Sequence, residues 1–210
     1  MPERSLNKLG HRIGARGGRT RDVILEATRR LLDRRHLGEI RVADVASEAG
    51  LSPSNFYTYF KTVEEAVLLL CEAVAADFQP LARHLEGDWS AENAFGAARA
   101  YVVDVLAIWD RHGPVLRIEH MLADKGEAGF VESRVGRLRR VHLAFERRIA
   151  VAHATGYHAA GLDPRLTSYE VANLVESVAA GFELMRRGET PPEAIIDTTA
   201  HIVVKLVTGR

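Results

Sequence analysis

Between Val42 and Phe60 the chain carries two apolar stripes at helical spacing, joined by only Gly50, Leu51 and Ser52. So short a link permits a tight corner and little else. Val42, Val45, Ala46 and Ala49 recur at three- and four-residue intervals, which predicts a helix burying one face. Gly50 ends it, because the position just past a helix terminus often takes a positive φ that glycine adopts without steric cost. Leu51 plugs the corner. Ser52 supplies an N-cap oxygen, and Pro53 occupies the first helical position, where its missing N–H is not needed.

On the second helix, Phe56 and Phe60 share one side, while Ser54, Thr58 and Lys61 fall on the other, flanked by Asn55, Tyr57 and Tyr59. The aromatic side faces a core. The small polar side suits a helix in the major groove, and position in that face nominates Ser54, Asn55 and Thr58 for base edges. Arg41, Tyr59 and Lys61 are the candidates for phosphates. A helical hairpin with a solvated face uses the same glycine-turn logic, so a helical protein-interaction module without DNA binding is the alternative.

The run LSPSNFYTYFKTVEEAV resembles the recognition-helix signature of the TetR family of bacterial transcriptional regulators, through Leu51, Ser52, Phe56, Tyr57, Tyr59 and Phe60. The resemblance at residue level spans about Thr20 to Val67. It implies an all-α chain: an N-terminal three-helix helix-turn-helix DNA-binding domain, then a larger all-helical ligand-binding and dimerisation domain. It also implies that Tyr57 contacts DNA. The family has a phosphate-contacting lysine where this chain has Val63, and Lys61 is the available substitute. Where the family favours Thr or Ser before the first short helix, this chain has Arg41, a poor N-cap but a good phosphate ligand.

Charge follows the same division. The chain is formally neutral, yet residues 1–62 hold 12 Lys+Arg against 7 Asp+Glu, and the remainder carries the compensating excess of acid. A basic head on an acidic body suits a polyanion-binding module carried by a domain that does not bind one. Residues 1–19 are read as a basic flexible arm through Arg4, Lys8, Arg12, Arg16 and Arg19, following the minor groove or phosphates, or merely solubilising. Gly14, Gly17 and Gly18 follow no strand, which argues against a phosphate loop.

Residues 20–65 form the expected DNA-binding domain, opened by a helix over Thr20 to Arg35. A Thr62–Glu65 capping box starts the next helix, predicted to run from Val63 to about Leu85 and to connect head to body. Within the body, 66–210, helices are expected over Ser90–Arg111, Pro114–Asp124, Gly129–Thr155, Leu166–Arg187 and Pro191–Val207, with no alternating strand pattern. Capping boxes at Thr167/Glu170 and Thr190/Glu193 are assigned to the last two. The third carries Val131, Val135, Leu138, Val141, Phe145 and Ile149 as its stripe, and its arginines, Arg134, Arg137, Arg139, Arg140, Arg147 and Arg148, read as a solvated face. The last two present apolar faces too broad for one neighbour, which predicts a homodimer through this pair, with Val178 and Val203 at the interface.

The body also carries large apolar residues beyond the needs of the head. Phe95, Tyr101, Trp109, Met121, Phe130, Phe145 and Phe182 are simply core if taken singly. The resemblance implies that together they enclose a pocket for a small hydrophobic effector, with Asn173 and Glu176 as its orienting polar groups.

No HExxH, GxSxG, Walker-type or CxxC pattern occurs, and His153 and His158 lie five apart, poor spacing for one helical face. No enzyme, metal or cofactor is therefore expected. Cys71, among Leu68, Leu69 and Leu70, reads as a buried structural thiol. Without a spanning apolar stretch or a signal-peptide core, the expected location is the cytoplasm, with no membrane partner. The expected partners are an operator in double-stranded DNA, a small hydrophobic effector and a second copy of the chain.

Overall fold

The structure, a computed structural model, describes residues 15–210. The elements in order are α1 (Ala15–Leu32), a 3-10 turn (Leu37–Glu39), α2 (Val42–Glu48), α3 (Pro53–Tyr59), α4 (Val63–Phe78) and a second 3-10 turn (Gln79–Ala82). There follow the short α5 (Arg83–Glu86), then α6 (Ala94–Asp124), α7 (Ala128–Ala154), α8 (Pro164–Arg187) and α9 (Pro192–Thr208). The described residues contain no strand, as the all-α expectation requires, and none of their helices is long and apolar enough to cross a membrane.

Several expected boundaries move, each for a local reason. Arg16, Gly17, Gly18 and Arg19 belong to α1 rather than to an arm, while the arm residues Arg4, Lys8 and Arg12 lie outside the described residues. The helix expected to reach Leu85 stops at Phe78, because Pro80 cannot donate to a continuing ladder and the chain tightens into a 3-10 turn. Conversely, α6 passes through Pro114 where a break was expected. Buried Ile108 and Trp109 before the proline, and Val115 and Leu116 after it, hold the helix together despite the lost hydrogen bond.

The capping boxes assigned to the last two helices are corrected. Asp163 caps α8, its Oδ1 accepting from the Leu166 N–H at 2.7 Å, and Thr167 turns back to the Asp163 carbonyl. Pro191 precedes another proline, which drives it out of the helical region, so α9 starts at Pro192 with no side-chain cap. The Thr62 box is half formed: Thr62 Oγ1 accepts from the Glu65 N–H, but Glu65 reaches the Lys61 N–H at 2.5 Å.

By packing, the described chain divides into two compact units. One holds residues up to Ala73 together with Pro114–Ser133; the other holds Val74–Gly113 and Arg134–Arg210. The first unit's core gathers Ile24, Ala27, Leu31, Val45, Ala46, Phe56, Phe60, Val63, Val67 and Cys71. Val63 is 5% exposed, and its place in this core explains why no lysine stands there. In the same unit Leu68 closes on Gly129, where a Cβ would meet its Cδ2 at 2.9 Å.

The second unit's core is built from Phe78, Leu81, Leu85, Tyr101, Val102, Val105, Leu138, Val141, Phe145, Ile149, Val171, Val175 and Val203. It also encloses charge. Arg137, expected on a solvated face, is fully buried and clasps Glu176 through Nη1–Oε1 at 2.7 Å and Nη2–Oε2 at 3.1 Å. Trp109 Nε1 donates to Glu176 Oε1 at 3.2 Å, and the Arg137 guanidinium lies 4.2 Å from the Phe78 ring centre. Arg148 is also engaged, donating to the Leu85 and Gly87 carbonyls. On α7 the expected stripe drifts at its start: Val131 and Val135 are exposed, and Arg137 takes the inward position.

His142 packs its ring 4.3 Å from Tyr169, with Nδ1 3.4 Å from the Ser168 carbonyl oxygen. Burial holds its pKa below the ordinary 6.5, against the opposing pull of Ser168 and Glu176. A depressed histidine binds fewer protons folded than unfolded, so stability is complete above about pH 6.5 and declines as pH falls towards the folded value. Scanning calorimetry should find the fall in Tm between about pH 7.5 and 5.5 shallower in His142→Phe than in the wild type. Equal slopes would assign the acid sensitivity to other groups.

Candidate nucleic-acid interface

The corner forms from local chemistry. Gly50 takes φ +67°, the Leu51 N–H bonds the Ala46 carbonyl at 2.8 Å, and the Gly50 N–H bonds the Ser47 carbonyl at 3.1 Å. This pair of backward bonds satisfies the last carbonyls of α2 and needs the left-handed residue between them. Ser52 Oγ then accepts from the Asn55 N–H at 3.3 Å and starts α3. At the front of α2, Arg41 cannot cap with its own side chain, and Asp44 Oδ2 takes the Arg41 N–H at 2.8 Å instead. That bond, with nearby Arg35, holds the Asp44 carboxyl below the usual carboxylate range.

Phe56 anchors α3. Its ring is wholly buried, edge-on to Tyr57 at 5.9 Å and tilted against Phe60 at 5.7 Å. Ser54, Asn55, Tyr57 and Thr58 are all exposed, and Tyr59 is half-buried. Truncating an anchor ring of this kind would cost about 3–5 kcal/mol.

Several cations of this unit are already paired. Arg29 is tied to Glu26 and Asp33, Arg30 and Arg34 to Glu48, and Arg35 to Asp44 and the Glu39 carbonyl. Among the described residues, Arg19, Arg41 and Lys61 are exposed and form no ion pair, although Arg41 stands near enough to Asp44 to help hold its carboxyl down. Arg41 and Lys61 bracket α2 and α3. Positive charge therefore stands at both ends of the corner, around an uncharged exposed face, which is the arrangement that grips phosphates and leaves base edges to polar side chains.

The residues expected to enclose an effector are only partly gathered. Tyr101, Trp109, Phe145 and Glu176 are buried in the second unit, with Tyr101 edge-on to Phe145 at 5.2 Å. Burial raises the Tyr101 phenol pKa, so its proton stays on. Phe95 is half-buried and stacks on His201 at 4.5 Å; Phe182 is half-buried near Arg186. Two members lie apart from these. Met121 is exposed and belongs to the first unit with Phe130, and Asn173 is exposed on the outer face of α8. Arg137 is the polar residue that sequence reasoning missed. Its signal was its spacing, seven after Phe130 and four before Val141, both buried.

The dimer candidates also separate. Val178 is half-buried, but Val203 is fully buried within its own chain and cannot face a partner. The exposed apolar residues on this pair are Leu166, Tyr169 and Leu184 on α8 and Ile202 on α9.

An all-helical chain with a capped corner, an uncharged recognition face and bracketing cations is a helix-turn-helix DNA-binding protein. The model for bacterial regulatory proteins of the tetR family matches residues 24–67, and that for the tetracyclin repressor-like C-terminal domain matches 82–210. The chain belongs to the TetR family of transcriptional regulators. Solved structures share its fold at low identity. The fatty acid degradation regulator FadR from Bacillus halodurans is 15% identical, with a TM-score of 0.65, over 88% of this chain and 94% of its own. A TetR-family regulator from Rhodococcus sp. is 20% identical, at 0.61, over 90% and 99%. FadR from Bacillus subtilis, solved with stearoyl-CoA, is 13% identical, at 0.62, over 90% and 98%. No curated protein matches the sequence significantly.

Proposed function

We propose that the protein is an effector-responsive repressor that binds a near-palindromic operator as a homodimer and is released by a small hydrophobic molecule. The observation that carries this reading is the division of the corner into an uncharged exposed face on α3 and two exposed cations, Arg41 and Lys61, at its ends. Ser54, Asn55 and Thr58 then meet base edges, Tyr57 joins them at the DNA surface, and Arg41, Lys61 and Tyr59 meet phosphates.

Two-fold symmetry with one recognition helix per subunit gives half-sites about 34–36 Å apart, or a multiple of it. Footprinting on sequences recovered from sheared genomic DNA tests that spacing. An effector need favour the DNA-incompetent state by only ~1–3 kcal/mol to weaken operator binding about 5- to 150-fold. The aromatic interior around Tyr101, Trp109 and Phe145 supports a hydrophobic effector, and a structural neighbour solved with stearoyl-CoA supports the same class. A thermal-shift screen of lipophilic metabolites, followed by operator release, should find compounds that both raise Tm and free the DNA. Operator binding that no stabilising compound alters would remove the effector from the proposal.

The outer face of α8 supports the homodimer: Leu166 and Leu184 are exposed at its ends, with the small Ser177, Ala180 and Gly181 between them. Leu184→Glu should give monomers with little change in Tm, whereas Val203→Glu should unfold the chain by burying a charge. If Leu184→Glu sediments as a dimer, the interface lies elsewhere.

A further inference from the structure

The recognition face has a chemical bias that the DNA-binding reading does not by itself supply. From Val42 to Phe60, across both helices and the turn, there is no lysine or arginine. Guanine presents two acceptors, N7 and O6, to the major groove, and the side chains that satisfy both at once are cationic donors. None projects from α3. Adenine instead presents an acceptor and a donor, N7 and the N6 amino group, which a carboxamide matches with both of its ends.

Asn55 is that carboxamide. It is exposed on α3, and its side chain has no partner among the described residues, so both ends remain available. Its backbone N–H is held by Ser52, at 3.0 Å from the carbonyl oxygen and 3.3 Å from Oγ, which fixes where the side chain emerges. Three residues on, Thr58 Oγ1 donates to the Ser54 carbonyl at 3.2 Å. That bond turns the hydroxyl hydrogen back into the helix and leaves the methyl and an oxygen lone pair outward. A methyl suits the C5-methyl of thymine, and the lone pair accepts from a base amino group. Guanine's N7 and O6 find no donor in this hydroxyl.

We infer that the base pairs within reach of Asn55 and Thr58 are A·T, with Asn55 reading adenine and Thr58 packing on thymine, so that these two neutral side chains select A·T while Arg41 and Lys61 supply sequence-independent grip. The inference rests on the DNA-binding reading and commits it to a base composition. It assigns nothing to positions outside the reach of Asn55 and Thr58.

Selection from a randomised duplex library by the full-length wild type, Asn55→Ala and Thr58→Ala tests it. Both side chains are exposed, so the variants should keep the wild-type Tm. At the position where Asn55→Ala abolishes preference, the wild type should favour adenine by about 5- to 150-fold, and Thr58→Ala should erase a thymine preference close by. Guanine or cytosine at those variant-sensitive positions overturns the inference while leaving DNA binding intact, as does a preference that neither variant alters. A guanine preference that Arg41→Ala removes would do the same, by giving base reading to a cation. Enrichment of no sequence, with no binding by anisotropy, would overturn the regulator reading itself and this inference with it.

Discussion

Arg137→Met should lower the stability of the protein by about 3–5 kcal/mol, one of the largest effects of any single substitution here. The buried Glu176 carboxylate would lose its bidentate partner and keep the Trp109 N–H, with no access to water. For a chain of this length such a loss corresponds to a fall in Tm of about 6–20 °C. The pair itself contributes far less than that figure, because desolvating two charges cancels most of their attraction. Arg137→Met combined with Glu176→Leu should therefore recover most of the loss. Calorimetry on the two single variants and the double reads this directly. If Arg137→Met costs no more than Arg139→Met, which alters an exposed arginine on the same helix, the ion pair is not what holds this part of the core.

The second large effect concerns DNA. Replacing Arg41 and Lys61 together by alanine should weaken binding to every sequence alike and flatten its salt dependence. Each phosphate that is no longer neutralised reduces the slope of log Kobs against log salt by about 0.9, so removing both cations from both subunits should reduce it by about 3.6. Arg29→Ala and Arg34→Ala serve as controls, since their guanidiniums are already occupied by Glu26, Asp33 and Glu48. A similar fall in the controls would show that the intramolecular pairs open on DNA. A slope unchanged in the double variant would remove Arg41 and Lys61 from the interface.

What could be read from the sequence was whatever local chemistry decides. Gly50, Ser52 and Pro53 each act within a few residues, and the corner forms as their types require. The same logic was available at Asp163-Pro164, where an N-cap precedes a proline at the first helical position, yet the Thr167 box competed with it. Pro191 failed for an equally local reason, since a residue before proline is driven out of the helix. Other misses needed the tertiary fold. Val203 has the periodicity of an interface residue and of a core residue alike, and only packing within its own chain decides. Arg137 was assigned to a surface by its charge, although its spacing put it on the buried stripe. At Pro114 the propensity was read correctly, and packing on either side overrode it.

The site divided along the same line. The α3 face was legible because one helix with one buried anchor, Phe56, fixes which residues face outward. Effector residues drawn from several helices were not, since periodicity cannot say that Met121 and Asn173 face solvent while Glu176 turns inward.

The measurement that bears most directly on the central claim is fluorescence anisotropy of the wild-type protein with labelled, sheared genomic DNA as salt is raised. A dimer that engages Arg41 and Lys61 in both subunits predicts a slope of log Kobs against log salt of about −3.6 or steeper. Absent binding, or binding indifferent to salt, would contradict a DNA regulator and favour a helical module that binds protein alone.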